Sequence, residues 1–222
     1  MKKNFIITCM LILSCTAFGQ QIKNKNVEFE DLTTLLSFAG YELFSYDISE
    51  MLNERYNITI TLKEYEAGKE IASTNRATVP NKRLLADFPE SERQRIIDEG
   101  RVVLHAKKIS FGFYPSDNDS TKRMLVSVPG FMEGGGVLKL RGLPQKDSDK
   151  LFYFYTTRPF QIKAFKEDEF IPLVLVSSGW YDEQFGIFRS CGQREIEPEM
   201  SDETYRNIPH HYIVGVTFVK RE

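Results

Sequence analysis

The stretch Ile109-Ser110-Phe111-Gly112-Phe113-Tyr114-Pro115-Ser116-Asp117-Asn118-Asp119-Ser120-Thr121-Lys122-Arg123-Met124-Leu125-Val126-Ser127-Val128 decides the fold class. Ile109, Phe111 and Phe113 fall on alternate positions, and so do Met124, Val126 and Val128. Successive side chains of a strand point to opposite faces, so each run carries one apolar face. Between them, Pro115 to Asp119 gathers the residues that favour turns. The pattern predicts a β-hairpin with one side in a core.

Outward from this hairpin the same alternation recurs. Gly134-Gly135-Gly136 reads as the next turn, followed by strands over Val137–Leu140, Leu151–Thr156, Phe160–Phe165, Phe185–Cys191 and Tyr212–Val219. Phe170–Val176 is apolar at every position, as a central strand covered on both faces would be. Toward the N-terminus, Asp31 can cap a short helix with Leu32, Leu35, Leu36 and Ala39 at helical spacing and Gly40 at its end. Tyr41–Ile48 reads as extended, and Asp47 with Glu50 introduces a turn or two of helix over Ser49–Tyr56. From Asn57, Ile58, Ile60 and Leu62 share one strand face. Glu66–Ala86 loses periodicity and collects Gly, Asn, Thr and Arg, which reads as a long surface loop. Pro89–Glu99 is a helix with Glu90 and Glu92 at its positive end and Gly100 after it. About nine strands with short connections give a mainly β chain, an antiparallel two-sheet sandwich with one or two short helices. A partly closed β-barrel is the alternative.

The first residues form a leader. Lys2 and Lys3 precede the apolar run Phe5–Leu13, and Ala17-Phe18-Gly19 offers small residues for cleavage before Gln20. The expectation is a signal peptide over 1–19 and a single β-rich domain over 20–222, exported to the periplasm or cell surface. Ile12-Leu13-Ser14-Cys15 is a loose lipobox, so a lipoprotein anchored through Cys15 is the alternative. N-terminal sequencing of protein from the cell envelope should begin at Gln20; a retained, acylated Cys15 would replace this reading with the anchored one.

No later apolar run reaches the about 18 residues a transmembrane helix needs. Lys and Arg number 29 against 31 Asp and Glu, and the basic residues do not cluster. That pattern argues against nucleic acid and against anionic membrane surfaces. Of three cysteines, Cys9 and Cys15 lie in the leader, so Cys191 has no internal disulfide partner and the core must hold the fold alone. The 17 Phe and 10 Tyr suit that task, because aromatic side chains bury large areas.

Three segments carry a resemblance: Tyr41 to Ser49 (Tyr-Glu-Leu-Phe-Ser-Tyr-Asp-Ile-Ser), Ile109 to Ser116, and Ile208 to Gly215 (Ile-Pro-His-His-Tyr-Ile-Val-Gly). With a leader ending in Phe18-Gly19-Gln20-Gln21, the chain resembles an uncharacterised domain-of-unknown-function family of exported proteins from gut Bacteroidetes. The resemblance implies a lineage and a compartment, and no activity. It also implies that Asp119-Ser120-Thr121 matches a sequon such bacteria O-glycosylate, with Ser120 as the acceptor.

No residue is assigned a catalytic role. Cys191 could pair with His210 or His211, but an isolated cysteine ordinarily behaves as a small buried hydrophobe. Adjacent His210 and His211 point to opposite faces of a strand, and with His105 they make no metal-ligand spacing. Asp117-Asn118-Asp119 resembles half a calcium loop, yet Lys122 stands where an EF-hand needs glycine. Gly134 to Gly136 lacks the Gly-Lys-Ser/Thr of a phosphate loop. No metal or cofactor is assigned. Asp182-Glu183 and Glu195, Glu197 and Glu199 are surface carboxylates unless the fold holds two of them across a cleft. The remaining candidates are aromatic: Tyr153 and Tyr155 on one strand face, and Trp180 and Tyr181 near a strand end, where rings could stack on a ligand. The leading expectation is a non-enzymatic envelope protein that binds a ligand such as a glycan or peptide, or a partner protein of the envelope. A small periplasmic hydrolase using Cys191 with a histidine, or a carboxylate pair, is the second reading; a structural envelope component is the third.

Overall fold

The computed structural model describes residues 29–100, 102–145, 148–162 and 164–221, so the leader and Cys15 lie outside the described residues. The chain divides into two compact units, Met1–Leu35 and Leu36–Glu222. Of the first, the described residues contribute only the start of helix α1 (Phe29–Phe38). Gly40, at φ +80°, follows that helix.

The second unit begins with β1 (Glu42–Asp47) and a 3-10 turn over Ser49–Asn53. A long hairpin follows, β2 (Tyr56–Glu66) and β3 (Lys69–Pro80). β4 (Lys82–Leu84) and β5 (Val103–His105) form a ribbon that flanks α2 (Glu90–Asp98) in sequence. β6 (Lys108–Pro115), β7 (Thr121–Val128) and β8 (Met132–Lys139) form a meander. β9 (Leu143–Gln145) pairs with β10 (Ser148–Phe152), and β11 (Tyr155–Pro159) and β12 (Ile171–Ser178) follow. β13 (Trp180–Asp182) pairs with β14 (Ile187–Arg189), and β15 (His210–Lys220) ends the fold.

Two antiparallel sheets hold nine of these strands, in the orders β1-β6-β7-β8 and β11-β12-β15-β2-β3. The fold is mainly β, a sandwich with two short helices among the described residues, and it does not close into a barrel. The decisive hairpin is present, with Phe113 opposite Met124 and Phe111 opposite Val126. Its apolar face, Ile109 to Val128, is buried against Ile58, Ile60, Val214, Val216 and Phe218 of the other sheet. Tyr46 and Phe44 of β1 meet Phe111 and Phe113 edge to ring at 6.1 Å, the geometry the ring quadrupoles favour. β12 and β15 are buried on both faces. Val174, Val176 and Val214 face the main core, while Leu175 and Ile213 join Phe160, Cys191, Ile196, Tyr205 and Ile208 in a second cluster. This second layer is why Phe170–Val176 is apolar throughout.

Asn81 is wholly buried between β3 and β4 and satisfied at every polar atom. Its Nδ2 donates to Met51 O at 2.7 Å and Glu54 O at 3.0 Å, and its Oδ1 accepts from Tyr56 N at 2.8 Å. Its backbone N–H donates to Tyr56 O and its carbonyl accepts from Ala106 N.

The structure corrects five local expectations. Glu66–Ala86 is not a loop: β3 runs through it, turned from β2 by Ala67 and Gly68 at positive φ. β3 is an outer edge strand, mostly exposed, with bulges opposite Ile60-Thr61 and Glu64-Tyr65. Its ladder to β2 requires no apolar alternation, so the hydrophobic pattern is silent there. Gly134 to Gly136 are not a turn but lie inside β8; the turn is at Pro129-Gly130, with Gly130 at φ +81° and Phe131 N donating to Val128 O. A Cβ on Gly136 would overlap the Arg76 guanidinium, so glycine there admits a side chain from the opposite sheet. Leu151–Thr156 is broken between β10 and β11, where Phe154 O accepts from Gly179 N. Finally, Phe160–Phe165 contains one parallel bridge, Phe160 to Ile196, and Phe185–Cys191 contracts to Ile187–Arg189.

Candidate functional site

Tyr153 and Tyr155 sit where the chain leaves the β9–β10 ribbon and enters the five-stranded sheet. Both line a cavity of about 210 Å³. Its opposite wall comes from the turn of the decisive hairpin, through Ser116, Asn118 and Asp119, and from Thr121 and Lys122 at the start of β7. Asn118 shapes that turn: its Oδ1 accepts from Ser120 Oγ at 2.8 Å and Thr121 Oγ1 at 2.9 Å. Asp117 pairs with Arg123 at 3.1 Å. The half calcium loop is therefore a turn held by hydroxyl-to-amide bonds to Asn118 and by the Thr121 N–H donating to Asn118 O, with Asp117 already paired. Ser120 lies in it, half-buried, with its hydroxyl donating to Asn118 Oδ1.

Lys122 ties the two sheets together at this end. Its Nζ donates to Glu42 Oε2 of β1 at 2.8 Å and to Thr157 Oγ1 of β11 at 3.0 Å. At the rim, Tyr41 and Tyr114 stack with ring centroids 5.7 Å apart and planes 5° from parallel. Tyr41 is exposed. A Cβ on Gly40 would lie 2.9 Å from Pro115 Cγ, so the glycine lets the chain pass close to the turn.

Behind the cavity, Tyr155 is held by a relay centred on a buried histidine. Arg141 N donates to Tyr155 Oη at 2.9 Å, and because the neutral His210 ring carries its proton on Nε2, facing the Glu64 carboxylate, the phenol donates to Nδ1 at 2.6 Å. His210 Nε2 then donates to Glu64 Oε1 at 3.0 Å, and Arg141 pairs with the same oxygen at 3.5 Å. His210 is 1% exposed. Burial depresses its basicity below the ordinary histidine range, against the opposing pull of Glu64. Burial also pushes the Tyr155 phenol up to about 12, so it stays protonated at neutral pH. The relay fixes the Tyr155 ring and creates no nucleophile.

Residues 11–220 match the family described as Domain of unknown function (DUF5041). The chain belongs to this family. No curated protein and no solved structure matches it. In this DUF5041 domain the other predicted residues stand apart from the cavity. Trp180 packs against the second core cluster, and Tyr181 meets Phe188 edge to ring at 5.2 Å; neither lines the cavity of Tyr153 and Tyr155. Cys191 lies beyond the end of β14, 1% exposed, with Tyr205 as a polar neighbour. Arg189 is committed to Asp182 at 2.8 Å and to the Phe185 ring. His210 and His211 do point to opposite faces: His211 stacks on Tyr65 at 4.7 Å, away from the relay. Sequence reasoning missed Lys122, Asn118 and Asp119 as companions of the tyrosines, and missed Glu64 altogether. Glu64 and His210 are 146 residues apart, and no local pattern could have joined them.

Proposed function

We propose that this domain is a non-enzymatic binding module of the cell envelope, exported through its leader, and that its site is the cavity of Tyr153 and Tyr155. The observation that carries the reading is the composition of that cavity. It sets two aromatic side chains against the polar groups of Ser116, Asn118, Asp119, Thr121 and Lys122. Aromatic faces stack on the apolar face of a sugar ring, while amide, carboxylate and ammonium groups bond its hydroxyls. The volume corresponds to about seven water molecules, enough for one ring. The ligand class is therefore a glycan, recognised at a single residue. A peptide side chain bearing an aromatic or amide group is the second occupant of that size.

The hydrolase reading through Cys191 is less well supported, because that thiol is buried and both ring nitrogens of His210 are taken. A purely structural role would leave the cavity without a ligand. A glycan and peptide screen on the mature protein separates these readings. Binding should appear in the glycan set and fall at least tenfold in Tyr153→Ala, while Trp180→Ala and Tyr181→Ala retain it. Loss in the Trp180 and Tyr181 variants alone would move the site to the β13–β14 ribbon. No binding to either set would leave the structural role in first place.

A further inference from the structure

A second, larger cavity opens between the two sheets and shares no residue with the first. It measures about 300 Å³ and is walled by Ile48, Ile109, Phe165, Leu173, Val216 and Phe218. One wall comes from the irregular segment between β11 and β12, which carries Phe165 and Ile162. That segment is pinned by Asp168 N donating to Phe218 O at 3.0 Å and by Tyr56 Oη donating to Glu167 Oε1 at 2.8 Å. Phe165 packs edge to ring on Phe218 at 5.4 Å. Ile162 stands at the mouth, 56% exposed.

The polar side chains around this space already have partners. Ser45 Oγ bonds Ser110 Oγ at 2.8 Å, Tyr46 Oη donates to Leu173 O at 2.6 Å, and Asp47 Oδ1 accepts from Ser49 N at 2.7 Å. None needs water or a polar ligand, so the interior suits hydrocarbon. Asp47 remains ionised at the edge, its carboxyl held below the usual carboxylate range by the Ser49 hydrogen bonds. An anionic head placed against Asp47 would meet a like charge, which the ammonium of Lys107, the smallest of the influences on that carboxylate, offsets only in part.

We propose that this cavity is a binding site for a linear aliphatic chain of about ten carbons, taking a methylene as about the 30 Å³ of a water molecule, with a head group that is not anionic. This site is independent of the glycan reading. Isothermal titration calorimetry of the mature protein with 1-hexanol, 1-octanol and 1-decanol tests it. Affinity should rise about fourfold per added methylene, with a negative heat-capacity change. Decanoate should bind at least tenfold more weakly than 1-decanol. Ile162→Trp, at an exposed position the fold tolerates, should obstruct the mouth and weaken 1-decanol at least tenfold. Val216→Phe should fill the cavity from inside; should that variant fail to fold, Ile162→Trp still decides. Tyr153→Ala should leave 1-decanol binding unchanged, so failure of one site is distinguishable from failure of the other. Absence of binding, affinity independent of chain length, or full affinity in Ile162→Trp would each overturn the site. Equal binding of decanoate would overturn the assignment of the head group.

Discussion

Asn81→Ala is expected to destabilise the domain by about 3 kcal/mol, a fall of roughly 6–12 °C in melting temperature for a chain of this size. The reason is the number of buried backbone groups this one side chain satisfies. Removing it strands the Tyr56 amide and takes the donor from the Met51 and Glu54 carbonyls. A buried group left unpaired costs about 1–3 kcal/mol, more than the net value of the bond it made. Asn81→Asp should be worse at neutral pH. The carboxylate keeps an acceptor for Tyr56 N but sets an oxygen against two carbonyl oxygens in a site without solvent. Burial and those carbonyls favour the protonated acid, so its folded pKa is raised above the unfolded value. The sign then follows: this variant keeps most stability below the unfolded carboxylate value of about 3.9 and loses it as pH rises. Thermal unfolding of the wild type and both variants, at pH 4 and pH 7, measures all of this. A loss under 1 kcal/mol in Asn81→Ala would mean that water or rearranged backbone replaces the side chain.

What the sequence made legible, and what it hid, follow from the same physics. The alternation at Ile109 to Val128 is visible because one face of that hairpin packs on a core and the other does not. The unbroken apolar run in β12 is visible because a second cluster covers its far side. β3 escapes because an exposed edge strand is held by backbone hydrogen bonds, which leave no mark on side-chain choice. The triple glycine misleads for a related reason: it signals close approach, and here what approaches is Arg76 rather than a turn. At the site, Tyr153 and Tyr155 do meet at one cavity, but not on one strand face: Tyr153 stands in the break between β10 and β11. The polar half of that cavity comes from a hairpin some thirty residues earlier, and the relay behind it joins three strands of one sheet. Those meetings are created by topology and have no counterpart in any local window of sequence.

The two adjacent histidines give the largest expected response to pH. His211 is 5% exposed, and burial, with the neighbouring His210 as a smaller cause, takes it from an ordinary 6.5 down to about 4. His210 is lowered as well, by burial. Between those values the unfolded chain binds a proton that the folded chain refuses. Stability is therefore fully present above about pH 6.5 and is lost as pH falls toward 4. For His211 alone the shift corresponds to about 3 kcal/mol. The depressed carboxylates Asp47, Glu70, Asp87 and Asp202 add their losses only as pH falls below their ordinary values near 4. The slope between pH 6.5 and 4.5 thus belongs to the histidines. Urea unfolding across that range should show stability falling steadily with acid. His211→Phe is the informative variant. The phenyl ring can keep the stack on Tyr65, and it removes a ring nitrogen, Nδ1, that is buried without a hydrogen-bond partner. At pH 7.5 the variant should match or exceed the wild type by up to about 1 kcal/mol, and most of the acid slope should disappear. A flat wild-type profile would show that His211 is protonated in the fold. An unchanged slope in His211→Phe would assign the effect to His210 and its bond to Glu64.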